Sequence, residues 1–238
     1  MKVAVLTDVH ANLPALEATL RAIEDAGCEA IYHTGDAIGI GPFPAECLAR
    51  LLATPRMRLI MGNHDAWFAF GLPQPQPAWM SDGEVAHQQW VHAQLDPGLR
   101  RVVAGWPYVV QDVWDGVGVT LLHYALDTTG RDFIAVVREP TPADLDGIFA
   151  PYHAEVVFYG HHHPTSDLRG RGRYVNPGSL GCNRMAVARF AILDCRDGDY
   201  TLEHHVVPYD DTSLFVEMER RQVPERDFIC QVFFARDP

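Results

Sequence analysis

The sequence predicts an α/β fold, and three observations point to it. Short apolar, β-branched runs alternate with amphipathic helical segments through residues 1–61, the pattern of strand–helix–strand units. After about residue 105 the chain turns to closely spaced strand candidates, two of them joined by the hairpin signals Asp115-Gly116 and Asp197-Gly198. No repeat, low-complexity tract or linker divides the 238 residues, so one domain over 1–238 with two β-rich halves is expected.

The elements follow in order. Residues 2–7, KVAVLT, read as a buried strand ending at Asp8. Asn12 is a good N-cap, and Leu13, Leu16, Leu20 and Ile23 then line one face of a helix that Gly27 stops. Residues 29–34 are a second strand, 44–53 a helix and 57–61 a third strand, which predicts a largely parallel first sheet. The stretch 72–78 contains three prolines and can be neither helix nor central strand, so it reads as a surface excursion. One or two helices span 82–104. Strands are expected at 107–113, 117–123, 154–159, 165–169, 186–193 and 199–207, and helices at 141–149 and 211–221. The apolar segment 226–234 is expected to pack on the domain or to cover a partner subunit. The second option makes a homo-oligomer an expectation.

Composition limits the function. Apolar residues at 47% and charged residues at 21% are those of a globular protein. The net charge of −12 argues against general nucleic-acid binding, which needs a basic surface. It leaves room for a small phosphorylated substrate held through metal ions. No apolar run reaches the ~18 residues that span a bilayer, so no membrane partner is expected. The N-terminus lacks a signal-peptide pattern, and the five cysteines follow no repeating spacing. A cytoplasmic protein with reduced thiols is therefore expected.

The chemistry gathers in polar clusters, each just past a predicted strand. These are Asp8-Val9-His10, Gly35-Asp36, Gly62-Asn63-His64-Asp65, His123 and Gly160-His161-His162-His163. Ligands bind at the carboxyl ends of strands in open α/β sheets. Period-2 alternation in an extended chain would put Asp8 and His10 on one side, and likewise His161 and His163, with His162 turned away. No Cys lies in any cluster, which excludes a zinc-finger-type thiolate site. The nitrogen and oxygen donors favour Mn²⁺, Fe, Zn²⁺, Co²⁺ or Ni²⁺. Taken singly, each cluster is more simply a strand-end turn or a helix cap; the ordered set carries the functional reading.

The order D-x-H, G-D, G-N-H-D, H, G-H-x-H resembles the calcineurin-like metallophosphoesterase family over residues 1 to about 208. The stretch 35–42 with Pro44, and Asn176-Pro177-Gly178-Ser179, resemble its small bacterial phosphodiesterase branch. The resemblance implies a four-layer α/β/β/α sandwich of two mostly mixed sheets. It implies two divalent ions, Mn²⁺ first among the candidates. Asp8, His10, Asp36 and His163 would hold one; Asp36, Asn63, His123 and His161 would hold the other, with Asp36 bridging. His64 would be the non-ligand histidine that assists the leaving group, oriented by Asp65. With two carboxylates and a hydroxide the centre keeps about one positive charge, enough to attract a phosphate to an acidic chain. The implied activity is a phosphodiesterase; a protein or nucleotide phosphatase, or a non-catalytic metal- and nucleotide-binding scaffold, are the alternatives.

Two departures from the family pattern matter. Tyr124 follows His123 where Gly is usual, and would either stack on a substrate base or fill space. His162 stands where Thr is common and is not counted as a ligand. Arg184 is a substrate-phosphate candidate by sequence proximity alone. Trp67, Phe68 and Phe70 could line a pocket, but their spacing fits core packing. His33, His87, His92, His153, His204 and His205 are expected on surfaces or in satisfied core positions. Cys28 and Cys195 are expected in the core, and Cys182 near the site.

Overall fold

A computed structural model describes residues 1–152 and 154–236. Strand β1 (Lys2–Leu6) is followed by α1 (Leu13–Asp25), β2 (Ala30–His33), α2 (Pro44–Ala53) and β3 (Met57–Leu59). The Asn12 side chain accepts from the Ala15 N–H at 3.2 Å, capping α1 as its sequence position predicts. Helix α3 (Asn63–Phe70) opens inside the third polar cluster. The excursion leads to α4 (Asp82–Ala93) and the short α5 (Arg100–Val103).

The second half supplies β4 (Val109–Trp114), β5 (Val117–Leu122), α6 (Pro142–Ile148), β6 (Val156–Phe158), β7 (Ser166–Arg169) and β8 (Arg173–Asn176). Strands β9 (Val187–Arg196) and β10 (Asp199–Pro208) then precede α7 (Thr212–Arg220) and α8 (Arg226–Phe234). Strand β8 carries no readable sequence signal: four residues between Gly170-Arg171-Gly172 and Pro177-Gly178 give too little period-2 pattern.

The strands form two mixed five-stranded sheets, ordered β10-β9-β1-β2-β3 and β4-β5-β6-β8-β7. The first sheet is less parallel than expected. β1, β2 and β3 are parallel, but β9 joins β1 antiparallel and β10 joins β9. Alternation along β1 explains the layering. Val3 and Val5 pack with Val119, Leu121, Phe158 and Leu193 between the sheets. Ala4 and Leu6 face the other way, onto α1, α2 and the C-terminal helices. The outer face of the second sheet packs on Leu145 and Phe149 at α6. The result is the four-layer α/β/β/α sandwich. Its parallel strands all end at one edge, where the polar clusters lie.

The apolar segment 226–234 is α8. Ile229 and Phe234 are buried in the domain's own core, while Phe228 and Val232 stay exposed. No helix among the described residues is long and apolar enough to cross a membrane.

Candidate metal centre

The loops after β1 and β2 are laced together by backbone hydrogen bonds. The N–H groups of Asp8, His10 and Ala11 donate to the carbonyls of Gly35, Asp36 and Ala37 at 3.0–3.1 Å. The alternation expected of an extended chain does not hold here. Asp8 (φ 53°), His10 (φ 46°), Asp36 (φ 61°), His161 (φ 67°) and His163 (φ 71°) all lie in the left-handed region. The side chains converge because the chain turns sharply at each strand end. Asp and His tolerate that conformation better than most residues, and such strain clusters at functional sites. The approach is close: a Cβ on Gly62 would lie 2.2 Å from both the backbone N and Oδ1 of Asp36.

All the implied ligands meet at this edge. His10 Nε2 lies 2.9 Å from His163 Nε2, 3.6 Å from Asp8 Oδ1 and 3.7 Å from Asp36 Oδ2. On the other side, His123 Nε2 lies 3.2 Å from Asp36 Oδ2, 3.2 Å from Asn63 Oδ1 and 3.1 Å from His161 Nδ1. Asp36 Oδ2 therefore stands between two donor groups, one around His10 and one around His123.

The donors fit divalent cations. His10 Nδ1 faces the Ile38 carbonyl at 3.4 Å, and His123 Nδ1 faces the Thr34 carbonyl at 3.0 Å. With the proton on Nδ1, each Nε2 offers its lone pair to the site. Two such lone pairs packed within about 3 Å of other acceptors repel unless a proton or a cation lies among them. Donor atoms of Asp36, His123 and His161 lie within 4.8 Å of one another, as do those of His10, Asp36 and His64. Cys182, which sequence proximity had flagged, brings its Sγ into a third such group with His10 and His163. Burial, then the Asp8 charge, pushes that thiol well above its usual range.

Electrostatics separate the groups. Burial raises the Asp8 carboxyl, but the His10 hydrogen bond and the His163 and His123 charges more than reverse it, holding it well below the usual range. Burial lowers His123, but the Asp36 charge and hydrogen bond push it up to about 9. Burial pushes His161 and His163 down to about 4 and His64 to about 3, which keeps these imidazoles neutral.

Two role assignments change. Asp65 does not orient His64. Its carboxylate accepts from the backbone N–H groups of Asp36 (2.8 Å), Ala37 (3.1 Å) and Gly62 (3.1 Å), so it pins the Asp36 loop onto the start of α3. The partner of His64 is Gln88 of α4, whose Nε2 donates to His64 Nδ1 at 2.8 Å. Nothing in the sequence marks Gln88; only the docking of α4 over the site brings it there. Tyr124 does not face a substrate. It is buried, its ring 5.6 Å from His161 and packed on Phe149 and Tyr159, so it fills space behind a ligand.

The other candidates divide. Arg184 is exposed in a recess of about 410 Å³ shared with Arg189, which meets the site only at His163. Trp67 lines a cleft beside His64, Phe68 is core and Phe70 is exposed. His162 lies at the rim, outside the donor groups. His33, His87 and His92 are largely buried. His204 meets Asp167 at 3.1 Å, and the His205 ring stacks on Phe190. His153 lies outside the described residues.

Comparison with known proteins identifies the family and the fold. Residues 1–198 match the calcineurin-like phosphoesterase superfamily domain. The chain is 24% identical over 243 residues to the uncharacterized protein MJ0912 of Methanocaldococcus jannaschii, covering 94% of each. It is similar in fold to the hypothetical protein PH1004 from Pyrococcus horikoshii OT3, with a TM-score of 0.81 and 22% identity over 100% of this chain and 99% of that one. A metallophosphoesterase from Sphaerobacter thermophilus gives a TM-score of 0.71 and 24% identity, covering 94% and 96%.

Proposed function

Because the chain belongs to the calcineurin-like phosphoesterase superfamily, we propose that it hydrolyses small phosphodiesters at a two-metal centre. The observation that carries this reading is Asp36 Oδ2 placed between the His10 and His123 donor groups. In this reading Asp8, His10, Asp36 and His163 hold one ion, and Asp36, Asn63, His123 and His161 hold the other. Manganese is the first candidate. Once bound, the ions supply positive charge to the phosphoryl oxygens and a hydroxide at neutral pH.

The chain's own residues do the rest. Asp8 and Asp36 bring two negative charges and leave the centre net positive toward a phosphate. His64 takes its orientation from Gln88. With Nδ1 accepting, its proton sits on Nε2, 4.0 Å from Asp36 Oδ2. From there it hydrogen-bonds a phosphoryl oxygen or the leaving oxygen as negative charge builds on it. Preference for a diester is supported by two clefts, of about 490 and 630 Å³, that both open at His64. A diester has two organic arms and a monoester one.

The test is hydrolysis of bis-p-nitrophenyl phosphate and p-nitrophenyl phosphate by chelator-stripped protein with Mn²⁺ added back. Metal-restored turnover favouring the diester is expected. Turnover favouring the monoester would replace this reading with a phosphatase.

A further inference from the structure

Both clefts are lined by His64, Trp79 and Glu84, so a Trp79–Glu84 wall stands between them. The first runs from His64 toward Glu225, Phe228 and Phe233. The second runs from Asn63 and His161 under the excursion, past Trp67, Asp132 and Phe133. Each shares residues with the central metal pocket, Phe233 in the first case and His161 in the second.

The walls have two consistent properties. They are aromatic: the Trp67 ring lies 4.9 Å from His64, and Trp79 stacks on Trp67 at 6.1 Å with 27° between the planes. Trp79 is 64% exposed and Phe228 56% exposed, which leaves large rings open at the cleft mouths. Exposed aromatic surface beside a polar site marks a ligand contact, and stacking on such rings suits a nucleobase or another flat arm. They are also acidic. Glu84 borders both clefts, Glu225 the first and Asp132 the second, and among the described residues neither cleft is lined by Lys or Arg. An anionic group there would face carboxylates with no basic side chain in the lining to offset them.

We propose that these clefts seat the two ester arms of a monoanionic phosphodiester, one of them aromatic, and that Glu84 excludes substrates carrying a second phosphate. The inference rests on the phosphodiesterase reading and adds the class of substrate to it. Trp79 is the stacking platform. Glu84 sets specificity by repelling extra negative charge from either arm.

The experiment compares thymidine 5′-(p-nitrophenyl phosphate) with the same ester carrying a 3′-phosphate. The first should have a kcat/KM about 10-fold higher or more, since like charges oppose binding in a partly desolvated cleft. Glu84→Gln should narrow that gap, and Trp79→Ala should raise KM for the first ester about 10-fold. Equal rates, or preference for the 3′-phosphate, overturn the inference. Loss of such a preference in Arg184→Ala would assign the arm to the basic recess instead. Tryptophan-fluorescence titration of His64→Ala protein with both esters gives a readout independent of turnover. If neither ester is hydrolysed, the phosphodiesterase reading falls and the binding order decides the arm assignment alone. Tighter binding of the monoanion upholds it; equal, reversed or absent binding overturns it.

Discussion

Gln88→Leu is the substitution that most directly probes the His64 assignment. Gln88 is buried and donates to His64 Nδ1 at 2.8 Å. Leucine keeps most of the side-chain volume but removes the donor. An imidazole nitrogen left unpaired in a buried site costs about 1–3 kcal/mol. Expressed at the transition state, that is about 5–150-fold in kcat. Metal content should be unchanged, because Gln88 contacts none of the ligands it would need to move. The assay is steady-state hydrolysis of bis-p-nitrophenyl phosphate by wild type, Gln88→Leu, His64→Ala and the double variant, with metal content measured on each. If Gln88 acts through His64, the two effects are strongly coupled, and Gln88→Leu should cost almost nothing in the His64→Ala background. Wild-type turnover by Gln88→Leu, or the same fold-loss in both backgrounds, would refute the argument.

Four further outcomes follow from the same geometry. His87 is buried and neutral, accepting from the Ile40 N–H through Nε2 at 2.9 Å while Nδ1 faces the Pro224 carbonyl at 3.1 Å. Burial pushes its pKa from 6.5 down to about 4, so between those values the unfolded chain binds more protons. Stability from this residue is therefore complete above pH 6.5 and lost as pH falls toward 4, by about 3 kcal/mol, and thermal melts of His87→Gln should be flatter across that window. Asp36→Ala removes the ligand that the proposed two-metal centre shares, and metal analysis should show loss of at least one of the two proposed ions, together with loss of turnover. Gly62→Ala should lower stability by about 1–3 kcal/mol and weaken metal binding, because its Cβ would collide with Asp36. Gly147→Ala, in α6 with nothing within 4 Å, should be neutral or stabilising by up to about 1 kcal/mol, so melts of the pair check the steric argument.

The fold class and the polar donor clusters were legible in the sequence because both depend on local signals in a fixed order. The apolar run 2–7 ends at Asp8, 29–34 ends at Gly35-Asp36, and 154–159 ends at Gly160-His161, so strand ends and donor residues coincide. Helix α2 follows its residues from Pro44 to Ala53 as expected. What the sequence misplaced was the reason for convergence: not alternation along extended chain, but left-handed turns held by neighbouring loops. It also missed contacts with no local signature. Gln88 reaches His64 across 24 residues of chain, and Asp65 turns away from its neighbour His64 toward Asp36, 29 residues back. The Trp79–Glu84 wall comes from the excursion and the start of α4, whose composition announces only a surface loop and a helix. Chain order and residue type determined which atoms could bind a metal, because ligand chemistry is a property of single side chains. Tertiary structure alone decided which side chain orients which, and what surrounds the substrate, because those depend on how distant elements dock.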